Sequence, residues 1–385
     1  MHFIVTSYTK VDMMNKRKRW IISVSAFLLG TGIVAIALFV FILPGISVYP
    51  AIDLQTLTTD QKQTLDSLQQ VDEHPLYMMT YFGRYSQYLE LKKKYYKELG
   101  IPQPKCSTAA ALNPKGDCIM GHNSDSSTEP LLLLFTDPPD GYASVSVAHI
   151  GEALKFGTNS NTPFDSYQKR TLLLYSPFMI NCGMNEMGLA VGTMAVPGTM
   201  ATLDPGKETM LGGETRRFLL DHAANIDEAL DILAKYNEKQ GDPGDHLMIA
   251  DASGKSVVVE WVNGKMQVNR NTGNWQAATN FLLYGAGKTV DEILQEYERT
   301  GAIRNDVNGL SYLRYARAWE ALKKTDGLTD SQGMMDILQS ISLTKDKGSW
   351  YDTQYSIVFD LRTGDIKIAM DKKYDAVKEY KLPVH

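Results

Sequence analysis

The chain contains 3 cysteines, and the setting of Cys106 singles it out. Cys106 to Leu112 is a short run of small, apolar residues. Asn113-Pro-Lys-Gly116 is a strong turn signal, and Asp117 to Gly121 returns as a second strand. The cysteine therefore stands at the first residue of a β-hairpin. A thiol attacks an acyl carbon only as thiolate, and an ordinary thiol pKa of about 8.5 leaves little thiolate at neutral pH. A base must take the proton. If the Lys105–Cys106 peptide bond is cut, the freed α-amine sits on the same residue as the sulfur, with a reference pKa of about 7.7–8.0. One residue then supplies nucleophile and base. Asp125, at the far end of the hairpin, is placed to meet that amine. A turn aspartate that caps its own backbone has the same local signature.

Other chemistries find little support. No Cys or His cluster has zinc-ligand spacing and no His-Glu-x-x-His occurs, so neither a metal nor another cofactor is expected. The formal net charge is −5, and the soluble part has no dense Lys/Arg stripe with interleaved aromatics, so a nucleic-acid partner is not expected. Three cysteines do not make a disulfide scaffold. Cys118 reads as a buried strand residue and Cys182 as a residue before a turn; in an exported chain their pairing is the alternative.

Export is what the N-terminus implies. Lys16-Arg17-Lys18-Arg19 is a basic cluster, and Trp20 through Leu43 follows without a charged residue. At about 1.5 Å per residue, that run can cross a hydrocarbon core of about 30 Å. The positive flank keeps residues 1–19 in the cytoplasm as a basic tail and sends the rest outside. Residues 20–43 are expected to be a transmembrane helix or signal-anchor, giving a single-pass membrane protein with an extracytoplasmic catalytic domain. The alternative is a cleaved signal peptide and a secreted protein, although such apolar regions usually run to about 7–15 residues.

The elements that must position Cys106 follow a segregated order. Residues 44–105 are read as a linker and helical pro-segment, with helices over Leu57–Val71 (Thr59 as a cap) and Leu76–Leu99, broken by Gly100-Ile-Pro-Gln-Pro104. After the hairpin, strands are expected at Ala143–Ile150, Thr171–Ser176 and Gly188–Met194. Helices follow at Glu214–Ala224 and after Asn225, whose Glu228 completes a capping box. His246–Ala250 and Ser256–Val262 form a hairpin that turns at Asn263-Gly264 into Lys265–Asn269. Helices near 289–299, 310–324 and 329–340 precede closing strands at Gln354–Leu361 and Asp365–Met370. Loops near 127–142, 155–168 and 196–212 are left to build a pocket. Runs of strands then runs of helices indicate stacked α and β layers, not an alternating α/β barrel.

Cys106-Ser-Thr-Ala-Ala-Ala-Leu followed by Gly121-His-Asn-Ser-Asp125 resembles the start of the mature chain in the choloylglycine hydrolase and penicillin V acylase group of N-terminal-nucleophile (Ntn) hydrolases. Acid ceramidase and the isopenicillin acyltransferases are related to that group. Later segments match in order: Asn181-Cys-Gly-Met-Asn-Glu-Met-Gly-Leu189, Asp251-Ala-Ser-Gly254 with Val259-Glu260, Ala278-Thr-Asn280, Leu313-Arg-Tyr315 and Gln354-Tyr-Ser-Ile-Val-Phe359. The resemblance spans most of residues 106–370. It implies an α+β fold, an αββα four-layer sandwich, over the catalytic domain 106–385. It also implies a Cys106 nucleophile exposed by autoproteolysis and hydrolysis of a linear amide in a small N-acyl substrate.

By the same resemblance Asp125 orients the α-amine, Asn280 donates to the oxyanion, and Arg314 faces the site and favours thiolate. Asn280 as a turn asparagine and Arg314 as a solvated helix residue are the plainer readings, with Arg317 one turn away. His122 stands where bile salt hydrolases carry arginine. It is expected either to titrate near neutral pH or to fill the floor of the substrate pocket. The family asparagine after the Gly-Leu strand is replaced near Met194-Ala195, where the Ala195 backbone N–H is the expected oxyanion donor. A transferase passing the acyl group to an amine, a papain-like enzyme using His149, His222 or His246, and an inactive binding scaffold are the competing functions. The substrate and any homo-oligomer are left open.

Overall fold

The structure, a computed structural model, describes residues 52–95, 105–151, 164–197, 201–239, 244–271, 273–284, 288–306, 310–345 and 351–384. The expected membrane segment, residues 20–43, lies outside the described residues. Among the described residues no helix is long and apolar enough to cross a membrane.

The Cys106 hairpin forms as its turn residues require. Strands β3 (Lys105–Leu112) and β4 (Cys118–Ser126) pair antiparallel from Lys105↔Asp125 to Leu112↔Cys118. Asn113 Oδ1 accepts from the N–H groups of Lys115 and Asp117 at 2.8 and 3.0 Å. Gly116 takes a φ of 88°, open to glycine because it lacks a Cβ. The second strand is longer than its sequence suggests, so Asp125 lies inside the ladder opposite Lys105.

Trp275–Ala278 (β14), Asp352–Asp360 (β15), Asp365–Met370 (β16) and Lys378–Lys381 (β17) complete a 6-stranded sheet in the order β14-β3-β4-β15-β16-β17. A 9-stranded sheet is built from Gln69–Asp72 (β1), Leu76–Tyr81 (β2), Leu131–Thr136 (β5), Ser144–His149 (β6), Ile180–Asn185 (β7) and Ala190–Val196 (β8), continued by Gly244–Ala250 (β11), Ser256–Val262 (β12) and Lys265–Arg270 (β13). Only β2 with β5 is parallel in it. Thr209–Leu211 (β9) and Asn237–Lys239 (β10) pair separately.

Three apolar clusters separate four layers. Cys106, Ala110 and Met120 meet Leu131, Leu133, Val147 and Met184 between the two sheets. Leu132, Leu134 and Val191, on the other face of the larger sheet, pack under helices α1 (Thr59–Asp66), α2 (Ser86–Tyr95), α4 (Gly212–His222) and α5 (Ile226–Lys235). A one-turn helix, α3 (Tyr167–Arg170), leads into this layer. Ala109, Ala111 and Val358 pack under α6 (Val290–Thr300), α7 (Ser311–Lys324) and α8 (Ser331–Ser340). The order is helix, sheet, sheet, helix, the αββα arrangement expected. Because both sheets are covered on both faces, their strands need not alternate apolar with polar. Caps start the helices where the sequence places them: Thr289 and Glu292 form a reciprocal capping box, while Asn225 accepts from the Glu228 N–H without the expected return bond, the Glu228 carboxylate accepting instead from the Ala224 N–H and Asn225 Nδ2.

The segment before Cys106 departs from expectation. Its first helix is shorter, Thr59–Asp66, capped by Thr58 with Gln61. Leu76–Tyr81 is a strand, not a helix, inserted between β1 and β5. Its Leu-Tyr-Met-Met-Thr-Tyr run is rich in side chains that fit a pleated surface, and Gly83 at a φ of 73° breaks it before α2. Two apolar runs also differ from expectation. Thr171–Phe178, expected as a strand from Thr171, is a fully buried 3₁₀ helix. Leu131–Thr136, expected as a pocket loop, is a central strand. A continuous apolar run has no period by which strand and helix can be told apart.

Candidate active site

Cys106, the second residue of β3, sets its side chain in the seam between the two sheets, 1% exposed. Two side chains pin its backbone. The Cys106 N–H donates to Asn280 Oδ1 at 3.0 Å, and Arg314 Nη1 donates to the Cys106 carbonyl at 2.9 Å. Arg314 also donates to Asp125 Oδ2 at 3.1 Å and to Asn280 Oδ1 at 2.7 Å. The guanidinium fork thus joins cysteine, aspartate and asparagine into one buried cluster. Asp125 Oδ1 accepts from Thr353 Oγ1 at 2.5 Å.

Each member arrives on a different element. Asn280 follows β14, the neighbour of β3, and its loop is anchored by Glu260 of β12. That buried carboxylate accepts from the N–H groups of Leu283 and Tyr284 at 2.8 and 3.0 Å and from His246 Nδ1 at 2.8 Å. Arg314 projects from the first turn of α7, where it is 2% exposed, while Arg317 faces solvent. The plainer reading of Arg314 as a solvated helix residue is therefore set aside.

Burial dominates the electrostatics. It pushes the Cys106 thiol up to about 12, helped by the nearby Asp125 carboxylate and opposed by Asn181 and Arg314. With its nitrogen still in a peptide bond, the residue is a poor nucleophile. Burial also pushes Asp125 upward, against the pull of Arg314 and Thr353. Arg314 is shifted down by burial, against Asp125, yet a guanidinium remains charged at any working pH.

Two expected roles take a different geometry. Asn280 meets Cys106 through its oxygen, and its Nδ2 donates to the Ala195 carbonyl at 2.7 Å. Ala195 therefore enters the cluster by its C=O, where its N–H had been expected to serve. His122 is fully buried. It faces Thr108 Oγ1 at 2.8 Å through Nδ1 and Asn181 Nδ2 at 3.1 Å through Nε2. Burial, with His149 and Arg216 nearby, pushes its pKa down to about 3, so it does not titrate near neutrality and lies beneath the site.

The histidines of the papain-like alternative are engaged elsewhere: His149 with Glu129 and Ser124, His246 with Glu260, and His222 against the Phe218 ring. All three cysteines are free, so Cys118 and Cys182 do not pair. Among the described residues no group of three or more His, Cys, Asp or Glu is arranged to hold a metal ion.

Several residues of the site escaped the sequence. Asn181 of β7 donates to Cys106 Sγ at 3.7 Å and to Tyr355 OH at 3.4 Å. Arg216 donates to the Ile180 carbonyl beside it at 2.6 Å and reaches Asp245 at 3.4 Å. The signal for Asn181 was present, since it heads the 181–189 motif.

The model of the family described as acyl-coenzyme A:6-aminopenicillanic acid acyl-transferase matches residues 173–375, just over half of the chain. No curated protein matches the chain. Among solved structures, the chain is similar to a mutant conjugated bile acid hydrolase from Clostridium perfringens, at 16% identity and a TM-score of 0.48, covering 72% of this chain and 92% of that one. It is similar to penicillin V acylase from Agrobacterium tumefaciens at 16% identity and a TM-score of 0.47, with coverage of 72% and 91%. An N-acylethanolamine-hydrolyzing acid amidase ortholog from Caenorhabditis elegans is similar at 15% identity and a TM-score of 0.41, with coverage of 72% and 100%.

Proposed function

This chain belongs to the acyl-coenzyme A:6-aminopenicillanic acid acyl-transferase family, and we propose that it is an Ntn enzyme that cuts itself before Cys106 and then hydrolyses a linear amide of an N-acyl substrate. The observation that carries the proposal is the grip on both backbone groups of one buried cysteine: Asn280 on its N–H, Arg314 on its C=O, and Asp125 behind the guanidinium. A structural cysteine needs no such fixation. A residue whose nitrogen becomes the catalytic base does, because proton transfer depends on where that nitrogen points.

After the cut the α-amine takes the proton from sulfur, and the sulfur attacks the acyl carbonyl. Collapse of the tetrahedral intermediate breaks the C–N bond, and the amine returns its proton to the leaving nitrogen. A thioester remains on Cys106. Water, losing a proton to the same amine, then releases the acid and restores the thiol. Asn280 keeps the new amine in place through Oδ1. Its Nδ2 carries two hydrogens, so one can keep the Ala195 carbonyl while the other serves as the oxyanion donor.

Intact mass and N-terminal sequencing test this reading. Wild-type protein should split at Lys105–Cys106 and hydrolyse members of a panel of N-acyl amides; Cys106→Ala should do neither. An unsplit wild-type chain with full activity would refute it. Adding a primary amine to the assay tests the transferase form: new amide product would show that the thioester passes its acyl group to nitrogen. We place the catalytic domain outside the cytoplasm, held by residues 20–43, on the strength of the basic cluster and the uncharged run alone. Release of the protein from membranes by alkaline carbonate would count against the anchor.

A further inference from the structure

We propose that Asn181 is a catalytic residue of the Cys106 reaction, its side-chain N–H being the donor to the sulfur and to the oxygen of the acyl group attached there, and that His122 is the positioning residue that aims it. The inference rests on Cys106 being the nucleophile.

Asn181 reaches across the seam. It belongs to β7 of the larger sheet, Cys106 to β3 of the smaller one, and both are buried. The amide nitrogen has three neighbours: His122 Nε2 at 3.1 Å, Tyr355 OH at 3.4 Å and Cys106 Sγ at 3.7 Å. It carries two hydrogens. His122 is held neutral, so its ring has one N–H and one bare nitrogen. An amide nitrogen can only donate. The bare nitrogen is therefore Nε2, and the proton sits on Nδ1, donated to Thr108 Oγ1 at 2.8 Å. One Asn181 hydrogen is thereby directed at His122, which leaves the other between Tyr355 OH and Cys106 Sγ.

The ring that does this lies tight against β8. A Cβ placed on Gly192 would lie 3.1 Å from His122 Nδ1 and 3.2 Å from both Met120 Cε and Thr108 Oγ1, so the strand behind the ring fits closely only because residue 192 is glycine. Packing thus fixes His122, and His122 fixes the amide. When the sulfur attacks, negative charge moves onto an oxygen one carbon away from it. A donor already in contact with the sulfur is within reach of that oxygen and need not reorganise. Asp125, Asp245, Arg314 and Lys105 act on the sulfur by their charge, and none of them replaces this donor on the β7 side.

The test uses the processed full-length protein. Iodoacetamide labelling of Cys106 is followed by peptide mass across pH, together with turnover of an N-acyl amide. Asn181→Leu should lower turnover by about 10²-fold, the loss typical of one oxyanion donor, and should move the labelling midpoint to higher pH. His122→Leu should move both in the same direction. His122→Gln, whose Oε1 stands near the lost Nε2, should restore the wild-type midpoint. If Asn181→Leu does not fold, Asn181→Asp, which keeps the shape and removes the donor, must give both shifts. An unmoved midpoint with turnover within about threefold of wild type would overturn the role of Asn181. A His122→Gln protein as impaired as His122→Leu would overturn the aiming role. Turnover retained by Cys106→Ala would overturn the nucleophile itself, a separate result.

Discussion

Replacing Arg314 tests whether the cluster is held together by charge. Its guanidinium is 2% exposed and its partner Asp125 is 0% exposed. Arg314→Met keeps most of the volume and removes the guanidinium's own bonds to Cys106 O, Asp125 and Asn280. A carboxylate is then left buried without its counter-ion, which typically costs about 3–5 kcal/mol. Whole domains have about 5–15 kcal/mol to lose, so the effect is large but measurable. The comparison belongs in a Cys106→Ala background, where no chain splits and urea unfolding compares like with like. Asp125→Asn removes the charge that Arg314 serves. The double variant should therefore be more stable than the two single losses added together, by about 1–3 kcal/mol. Arg314→Lys keeps the charge but not the fork that spans three acceptors, and should still fail to self-cleave in the Cys106 protein. A loss below about 1 kcal/mol for Arg314→Met, with strictly additive singles, would refute this account.

Two further outcomes follow from the same geometry. The His122 pKa is pushed down to about 3, below its unfolded value of about 6.5, so between these pH values only the unfolded chain holds the proton. Stability should then rise with pH across that window and fall away on acidification. His122→Gln should flatten the slope by one proton, roughly 1 kcal/mol per pH unit, in acid-unfolding curves. Asp125, shifted upward by burial, acts with the opposite sign, so wild type and variant must be compared directly. Glu260→Ala removes the carboxylate that accepts from the part-buried N–H groups of Leu283 and Tyr284, at about 1 kcal/mol each. It should slow self-cleavage by loosening the loop that carries Asn280, read from the fraction of split chain over time.

The cluster was legible where residue type and local order coincide. Asn113 and Gly116 specify a turn, the turn sets the hairpin, and the hairpin brings Asp125 back alongside Cys106. Arg314 could be separated from Arg317 only by family position, because the helical period places both on nearby faces; burial then distinguishes them. Asn181 was not legible as a donor. An asparagine ahead of a Gly-containing turn has the same appearance whether it caps that turn or reaches a sulfur on another sheet, and only the packing of the two sheets decides. The Leu131–Leu134 run and Leu76–Tyr81 do not announce themselves as strands, for a related reason. Strands in the middle of a four-layer stack are apolar on both faces, which erases the alternation that marks a strand.

The position of Leu76–Tyr81 has a consequence for the enzyme's composition. This strand lies upstream of the proposed cut at Lys105–Cys106, yet it hydrogen-bonds along its whole length to Leu131–Thr136, downstream of it. Leu76, Met79 and Tyr81 are each at most 1% exposed. Burial of three such side chains contributes roughly 5–9 kcal/mol, before any ladder bonds are counted. Severing the backbone at Lys105 would therefore liberate no leader peptide. It would convert one polypeptide into a two-chain protein whose smaller piece is a permanent structural member. Whatever tethers that piece would tether the catalyst too.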